Sequence, residues 1–262
     1  MRIISICPSN TELLAYLDSL SMLVGVDDFS DWPASIQSLP MLGPDLSIRM
    51  DDLENLMPDL VLASLSVPGM EKNIEKLSER GIPHIVLNPQ SLQDIADDLI
   101  RVGEAIGQAK KGNDASEQFL ERLLKYEKAS SQIPNPPSLY WEWWPKPVFT
   151  PGRINWLTEV SRYAGGENIF ADIEKASVQT DWDDVLERDP DYICLAWVGI
   201  QEKRVNPKLV KQRPNWSNMK AVQQNKILVL EEALYCRPSP RLLNGIDKLG
   251  KILHPHIFGK DK

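Results

Sequence analysis

Trp141, Trp143, Trp144, Phe149 and Trp156, with Glu142 among them, form a dense aromatic cluster in a chain that carries 8 Trp. An indole offers a broad flat apolar face and one N–H donor, so such a cluster suits the non-covalent grip of a planar or macrocyclic ligand. Phe29 and Trp32, much earlier in the chain, would add rings from a second loop, and Trp197 opens a third in AWVGIQ. The same rings have a structural use, plugging the seam between a strand and its helix. Arg237 lies in CRPSPR, braced by Pro238 and Pro240, where a guanidinium can pair with a ligand carboxylate or phosphate; Arg241 suits the start of the last helix. Bond-making chemistry lacks a carrier. There is no G-x-G-x-x-G, Walker A loop, G-x-S-x-G or H-E-x-x-H, and adjacent acids such as Asp27–Asp28 and Glu231–Glu232 arise by chance among 37 acidic residues.

The elements that position these residues alternate. Short apolar runs bounded by turn residues are separated by amphipathic stretches, the pattern of parallel strands joined by crossover helices. Strands are expected over 2–7, 23–26, 60–63 and 84–87, and helices from 11, 51–56, 73–80 and 95–106, with Ser9 or Asn10 capping the first. Residues 113–132 then read as one uninterrupted helix, with Phe119, Leu123 and Tyr126 on one face. A second alternation follows: a strand near Leu139, helices at 155–163 and 183–188, strands at 192–197 and 226–230, and a last helix over 240–253. The expected fold is therefore α/β, with two Rossmann-like lobes, each built on a central parallel sheet, joined by one long connector helix. The expected boundaries are 1–107, 108–133 and 134–262.

A weak internal repeat points the same way. Residues 51–63 read DDLENLMPDLVLA and residues 183–195 read DDVLERDPDYICL. Each gives an acidic helix start, a Pro stop and a strand entering the core, once on either side of the connector. In open parallel sheets ligands bind beyond the carboxyl ends of strands. The loops expected there begin with Pro8 in CPSNTE, Phe29 and Trp32 in DDFSDWP and Ser64 in SLSVPGM, then continue in the second lobe with the aromatic cluster, AWVGIQ and CRPSPR.

Composition narrows the classes further. A net charge of -8 and a pI near 5.0 argue against a nucleic-acid partner, which needs a concentrated basic face. The 3 Cys and 3 His make no metal-ligand spacing, so neither a metal site nor an intrinsic cofactor is expected. The apolar run before Pro8 is too short for an export signal, so as written the protein is expected to stay in the cytoplasm, or to be extracytoplasmic if a leader has been omitted.

RIISICPSNTELL, GVDDFSDWP, MPDLVLA and GIPHIVLNPQSLQDI, followed by FTPGRINWLTEVSRYAGGENIFAD, VLERDPDYI and RPSPRL, resemble the class III solute-binding proteins of iron-siderophore and cobalamin ABC importers, nearest the cobalamin-binding branch. The resemblance spans nearly the whole chain. It implies two Rossmann-like lobes joined by one rigid helix, and a monomeric protein that closes on a small-molecule metal chelate without transforming it. It also implies that Phe29, Phe149 and Arg237 fall at ligand-contacting positions, that Ser64, Ser177 and Ala233 replace other pocket side chains, and that Asp51 and Asp183 fall where the family docks onto its importer permease. The same two aspartates have a plainer use as acids at helix N-termini. The expected function is carriage of a cobalamin-like corrinoid or other metal chelate, feeding an ABC importer or handling the ligand inside the cell. The alternatives are a ferric-siderophore or haem binder, or a two-lobed enzyme such as a nucleotide-sugar transferase.

Overall fold

The computed structural model describes residues 1–259, which divide into two compact units. The first unit comprises Met1–Leu120 together with Pro238–Pro240; the second comprises Glu121–Arg237 and the chain from Arg241 onward.

In the first unit β1 (Ile3–Ser5), α1 (Pro8–Tyr16), β2 (Leu23–Val26), α2 (Met50–Asn55), β3 (Leu60–Ser64), α3 (Glu71–Glu79), β4 (His84–Leu87) and α4 (Leu92–Ala105) follow one another. Their four strands form one parallel sheet in the order β2-β1-β3-β4. The two central strands, β1 and β3, are buried at every position, as a strand covered on both faces must be. The first helix starts earlier than the sequence suggested. Cys7 is its N-cap and Pro8 opens the first turn, where a missing N–H costs nothing, while Asn10 sits inside the helix and donates its side-chain amide to the Ala63 carbonyl at 3.0 Å. α4 is also longer than expected: the capping box of Ser91 and Asp94 starts it at Leu92, three residues upstream of Ile95.

α5 (Ala109–Ser130) is the long helix, 22 residues running from the first unit into the second. It meets α4 within the first unit at two glycines. A Cβ built on Gly103 would lie 2.7 Å from the Gly112 Cα, and one on Gly112 would lie 2.8 Å from the Leu99 carbonyl oxygen. Both neighbours are backbone and cannot swing aside. Gly103→Ala is therefore expected to cost about 1–3 kcal/mol, the usual penalty for overpacking, read as a fall of several degrees in the thermal midpoint.

The second unit contains β5 (Ser138–Glu142), β6 (Trp144–Pro145), β7 (Val148–Pro151), α6 (Trp156–Tyr163), β8 (Glu167–Asn168), β9 (Ser177–Thr180), α7 (Trp182–Arg188), β10 (Tyr192–Leu195), α8 (Pro207–Lys211), α9 (Lys220–Gln223), β11 (Ile227–Val229), α10 (Glu232–Tyr235), α11 (Leu242–Leu253) and α12 (Pro255–Phe258). Its main sheet is parallel, in the order β11-β10-β5-β8. Read from the β8 edge, this is second, first, third, fourth strand, the same order as in the first unit. A small antiparallel sheet, β6-β7-β9, is added to it. Its strands are short, and β6 and β7 each contain a proline, which hid them from a reading by pattern.

The internal repeat falls on equivalent elements. DDLENLMPDLVLA covers α2 and β3, and DDVLERDPDYICL covers α7 and β10, so β3 and β10 are the third strands of their sheets. In both copies the residue just before the proline takes a left-handed conformation, Met57 at φ 46° and Asp189 at φ 40°. Two non-glycine residues sharing this rare geometry at matched positions show that the likeness is one of backbone path as well as letters.

One buried carboxyl in the first unit has a measurable consequence. Asp98 on α4 is 7 % exposed, its Oδ2 has no hydrogen-bond partner among the described residues, and Arg101 reaches Oδ1 only at 3.8 Å. Burial outweighs the arginine and pushes the carboxyl up to about 7 from an ordinary 3.8. The folded protein thus keeps a proton that the unfolded chain has released, and the stability linked to Asp98 is full near pH 4 and lost as pH rises to about 7. Compared by denaturant unfolding at pH 5 and pH 8, Asp98→Asn is expected to gain about 2 kcal/mol on the parent at the higher pH, allowing for water that relaxes the site.

Candidate functional site

In a sheet ordered second, first, third, fourth, the connections leave the first and third strands in opposite directions, and the gap beyond their carboxyl ends is the topological switch point. In the first unit that point lies after β1 and β3, at Cys7–Pro8 and Ser64–Ser66. In the second it lies after β5 and β10, at Trp143–Trp144 and Ala196–Trp197. Five of the sequence-predicted residues, Pro8, Ser64, Trp143, Trp144 and Trp197, thus sit at or beside a switch point.

The first unit's switch point is small and internally bonded. Pro8 is buried as the first residue of α1, and Ser64 is 3 % exposed with its hydroxyl given to Ser66 Oγ at 2.9 Å. Cys7 Sγ lies 3.2 Å from Ser9 Oγ, and burial, reinforced by the negative charge of Asp27, pushes its thiol up to about 11. Burial also raises Cys194 and Cys236 well above the usual thiol range, so all three sulfurs stay protonated. Beyond β2, the fully buried Asp27 accepts the Phe29 backbone N–H at 2.8 Å and the Ser30 hydroxyl at 2.5 Å. This pins the main chain while leaving the Phe29 ring 46 % exposed. Trp32 is half-buried, with its ring 6.1 Å from that of Tyr16.

The second unit sorts the WEWW cluster by strand alternation, successive side chains pointing to opposite faces. Trp141 points toward α6 and α10. It is fully buried, donates its indole N–H to Ser161 Oγ at 2.8 Å and packs 5.3 Å from Tyr235. Trp156 opens α6 under the Asn155 cap, is 5 % exposed and donates to the Tyr235 carbonyl at 2.8 Å. These two rings were expected to face a ligand; they belong instead to the core of their own unit. Trp143 is half-buried, 6.1 Å from Trp156, and its indole nitrogen is buried with no hydrogen-bond partner among the described residues. Trp144 is 43 % exposed on β6 and sits across the ladder from the half-buried Phe149 on β7. Trp197 is half-buried just past β10.

Tyr140 and Glu142 point to the other face. Glu142 is fully buried, yet both of its oxygens are satisfied. Arg213 Nη1 and Nη2 reach Oε2 and Oε1 at 2.6 and 2.7 Å, the Tyr140 hydroxyl donates to Oε2 at 2.7 Å, and the Trp197 indole donates to Oε1 at 3.1 Å. The Arg213 guanidinium stacks 4.9 Å from the Trp182 ring and 4.5 Å from that of Trp216. Burial, then the adjacent Glu142 charge, raises the Tyr140 phenol well above its usual range, so it remains a donor. Sequence reasoning passed over this network. Its one visible trace was a glutamate ending the otherwise apolar run SLYWE.

Of the remaining predicted residues, Arg237 and Asp51 have charged partners inside their own units. Arg237 is 9 % exposed and its Nε and Nη2 meet Glu232 Oε2, both at 3.1 Å. Asp51, in the first turn of α2, pairs with Arg80 at 2.6 Å. Asp183, in the first turn of α7, is exposed and borders a pocket of about 480 Å³ lined by Lys146, Pro147, Trp182 and Pro214 among others.

A family model described as periplasmic binding protein matches residues 3–234. The chain belongs to that family. Among periplasmic binding proteins and their relatives, it is 26% identical over 98% of its length, and 81% of the relative's, to an uncharacterized ABC transporter substrate-binding lipoprotein, YvrC, of Bacillus subtilis. It is 28% identical to the vitamin B12-binding protein of Vibrio parahaemolyticus, covering 94% of this chain and 86% of that one. The crystal structure of the periplasmic vitamin B12 binding protein BtuF of Vibrio cholerae superposes with a TM-score of 0.79 at 25% identity, over 99% of this chain and 98% of the other. The two α/β lobes, the parallel sheets and the long linking helix expected from the sequence are those of the periplasmic binding protein fold.

Proposed function

We propose that the chain binds a corrinoid, or a closely similar ring-shaped metal chelate, without transforming it, and delivers it to an ABC importer outside the cytoplasm. The observation that carries this reading is that each unit carries partly exposed rings: Trp143 and Trp197 just past β5 and β10, and Trp144 and Phe149 on the adjoining β6 and β7, in the second; Phe29 and Trp32 in the loop after β2 in the first. Flat apolar rings on a pinned backbone suit the rim and face of a macrocycle, whose burial against them supplies affinity. The vitamin B12-binding relatives favour a corrinoid over other chelates, and the lipoprotein relative favours the extracytoplasmic location. Asp51 and Asp183 are proposed to face the importer permease. Asp51 does so with Arg80 as a competing internal cation, and Asp183 does so from the edge of its pocket.

Titration with cyanocobalamin, dicyanocobinamide, haem and a ferric siderophore, followed by tryptophan fluorescence, tests the reading. Saturable one-to-one quenching by a corrinoid is expected, with the bound chelate keeping its own absorption spectrum. Quenching by haem or the siderophore alone would move the ligand class, a changed spectrum after release would indicate an enzyme, and no quenching by any of them would overturn the proposal.

A further inference from the structure

Glu142 stands at the end of β5, on the switch point of the second sheet, where the neighbouring strand positions are filled by apolar residues such as Leu195. A core that needed only to be filled there would gain nothing from a buried carboxylate and its cation, since an ion pair taken out of water is roughly neutral against well-packed apolar side chains. Three of the four hydrogen bonds to Glu142 come from Tyr140 and Arg213, and they orient and neutralise it. The fourth comes from Trp197. The main chain on either side of Trp197 is also fixed, because Ala196 N–H donates to the Glu142 carbonyl at 3.1 Å and Val198 N–H to the Trp143 carbonyl at 3.2 Å. With the backbone held and the half-buried ring packed on one side against the core of its unit, the indole N–H bond to Glu142 fixes the side-chain rotation that remains. Arg213 in turn cannot drift, stacked against both Trp182 and Trp216.

We propose that Glu142, oriented by Arg213, is a positioning residue that locks the Trp197 indole in place as a rigid wall of the ligand site, so that the pair sets how well a ring-shaped chelate fits. This rests on the ligand reading above, but the locking itself is observable without ligand. A glutamine at this position has one accepting oxygen and one donating amide group, so it cannot accept Tyr140 at one end and Trp197 at the other as the carboxylate does.

The test uses the full chain with ¹⁵N-labelled tryptophan, the Trp197 indole signal being assigned by its disappearance in Trp197→Phe. In Glu142→Gln, and in the charge-neutral pair Glu142→Gln with Arg213→Met, the Trp197 indole signal is expected to move and its hydrogen exchange to quicken about tenfold or more, while the Trp141 and Trp156 indole signals stay in place. Affinity for dicyanocobinamide is expected to fall about tenfold in both variants through lost pre-organisation. The neutral pair keeps the experiment decisive if the single variant does not fold. An unmoved Trp197 signal would overturn the proposal, as would a moved signal with unchanged dicyanocobinamide affinity. If the parent protein binds no chelate, the ligand reading fails by itself, and the indole signal still decides whether Glu142 holds the ring.

Discussion

Replacing Arg213 by methionine is expected to lower the stability of the chain by about 3–5 kcal/mol, because it leaves the Glu142 carboxylate buried without its cation. Glu142 is fully enclosed and Arg213 covers both of its oxygens, so water cannot take the place of the guanidinium. Much of the loss should be regained when Glu142→Gln is added, since a neutral buried amide no longer demands a counter-charge. A chemical-denaturation series of the parent, R213M, E142Q and the double variant checks this. Equal and additive losses in the two single variants would mean that the side chains do not act as a pair.

The second large effect is on binding. Removing the Phe29 or the Trp144 ring by alanine substitution is expected to weaken dicyanocobinamide binding by about tenfold to a hundredfold each, the range of aromatic hot spots. Both rings are more than 40 % exposed, at 46 % and 43 %, so neither substitution should shift the unfolding midpoint appreciably. The discriminating comparison is with Trp141→Phe, which touches a fully buried ring bonded to Ser161 and should alter stability while leaving affinity near that of the parent. Calorimetric titration alongside thermal unfolding separates the two behaviours. A Trp144→Ala variant that binds normally would remove β6 from the site.

Much of the fold was legible because it is written in local patterns. β4 was expected at His84–Leu87 and lies there, since four apolar-leaning residues between a helix-ending glycine at φ 66° and a polar turn leave little latitude. The Asp-Asp to Pro-Asp repeat marked the third strand of each sheet correctly, because helix start, proline stop and strand entry are all short-range signals. The site was only partly legible. A cluster of tryptophans in sequence says nothing of which face each ring takes, and once β5 is formed the alternation sends Trp141 into the core while β6 leaves Trp144 in the open. The Glu142–Arg213 pair, separated by 71 positions, was beyond any local pattern, because its meaning depends on the strand end reaching a loop far along the chain. Arg237 looked free for a ligand by its rigid proline setting, yet Glu232, five residues earlier, meets its charge.

The most direct measurement is native mass spectrometry of the full chain after incubation with cyanocobalamin, dicyanocobinamide and haem in parallel, repeated on the Phe29→Ala, Trp144→Ala double variant. One corrinoid bound per chain in the parent, lost from the double variant at the same concentration, is the predicted result. A parent that remains bare with every chelate, or a double variant that binds as well as the parent, would contradict the account.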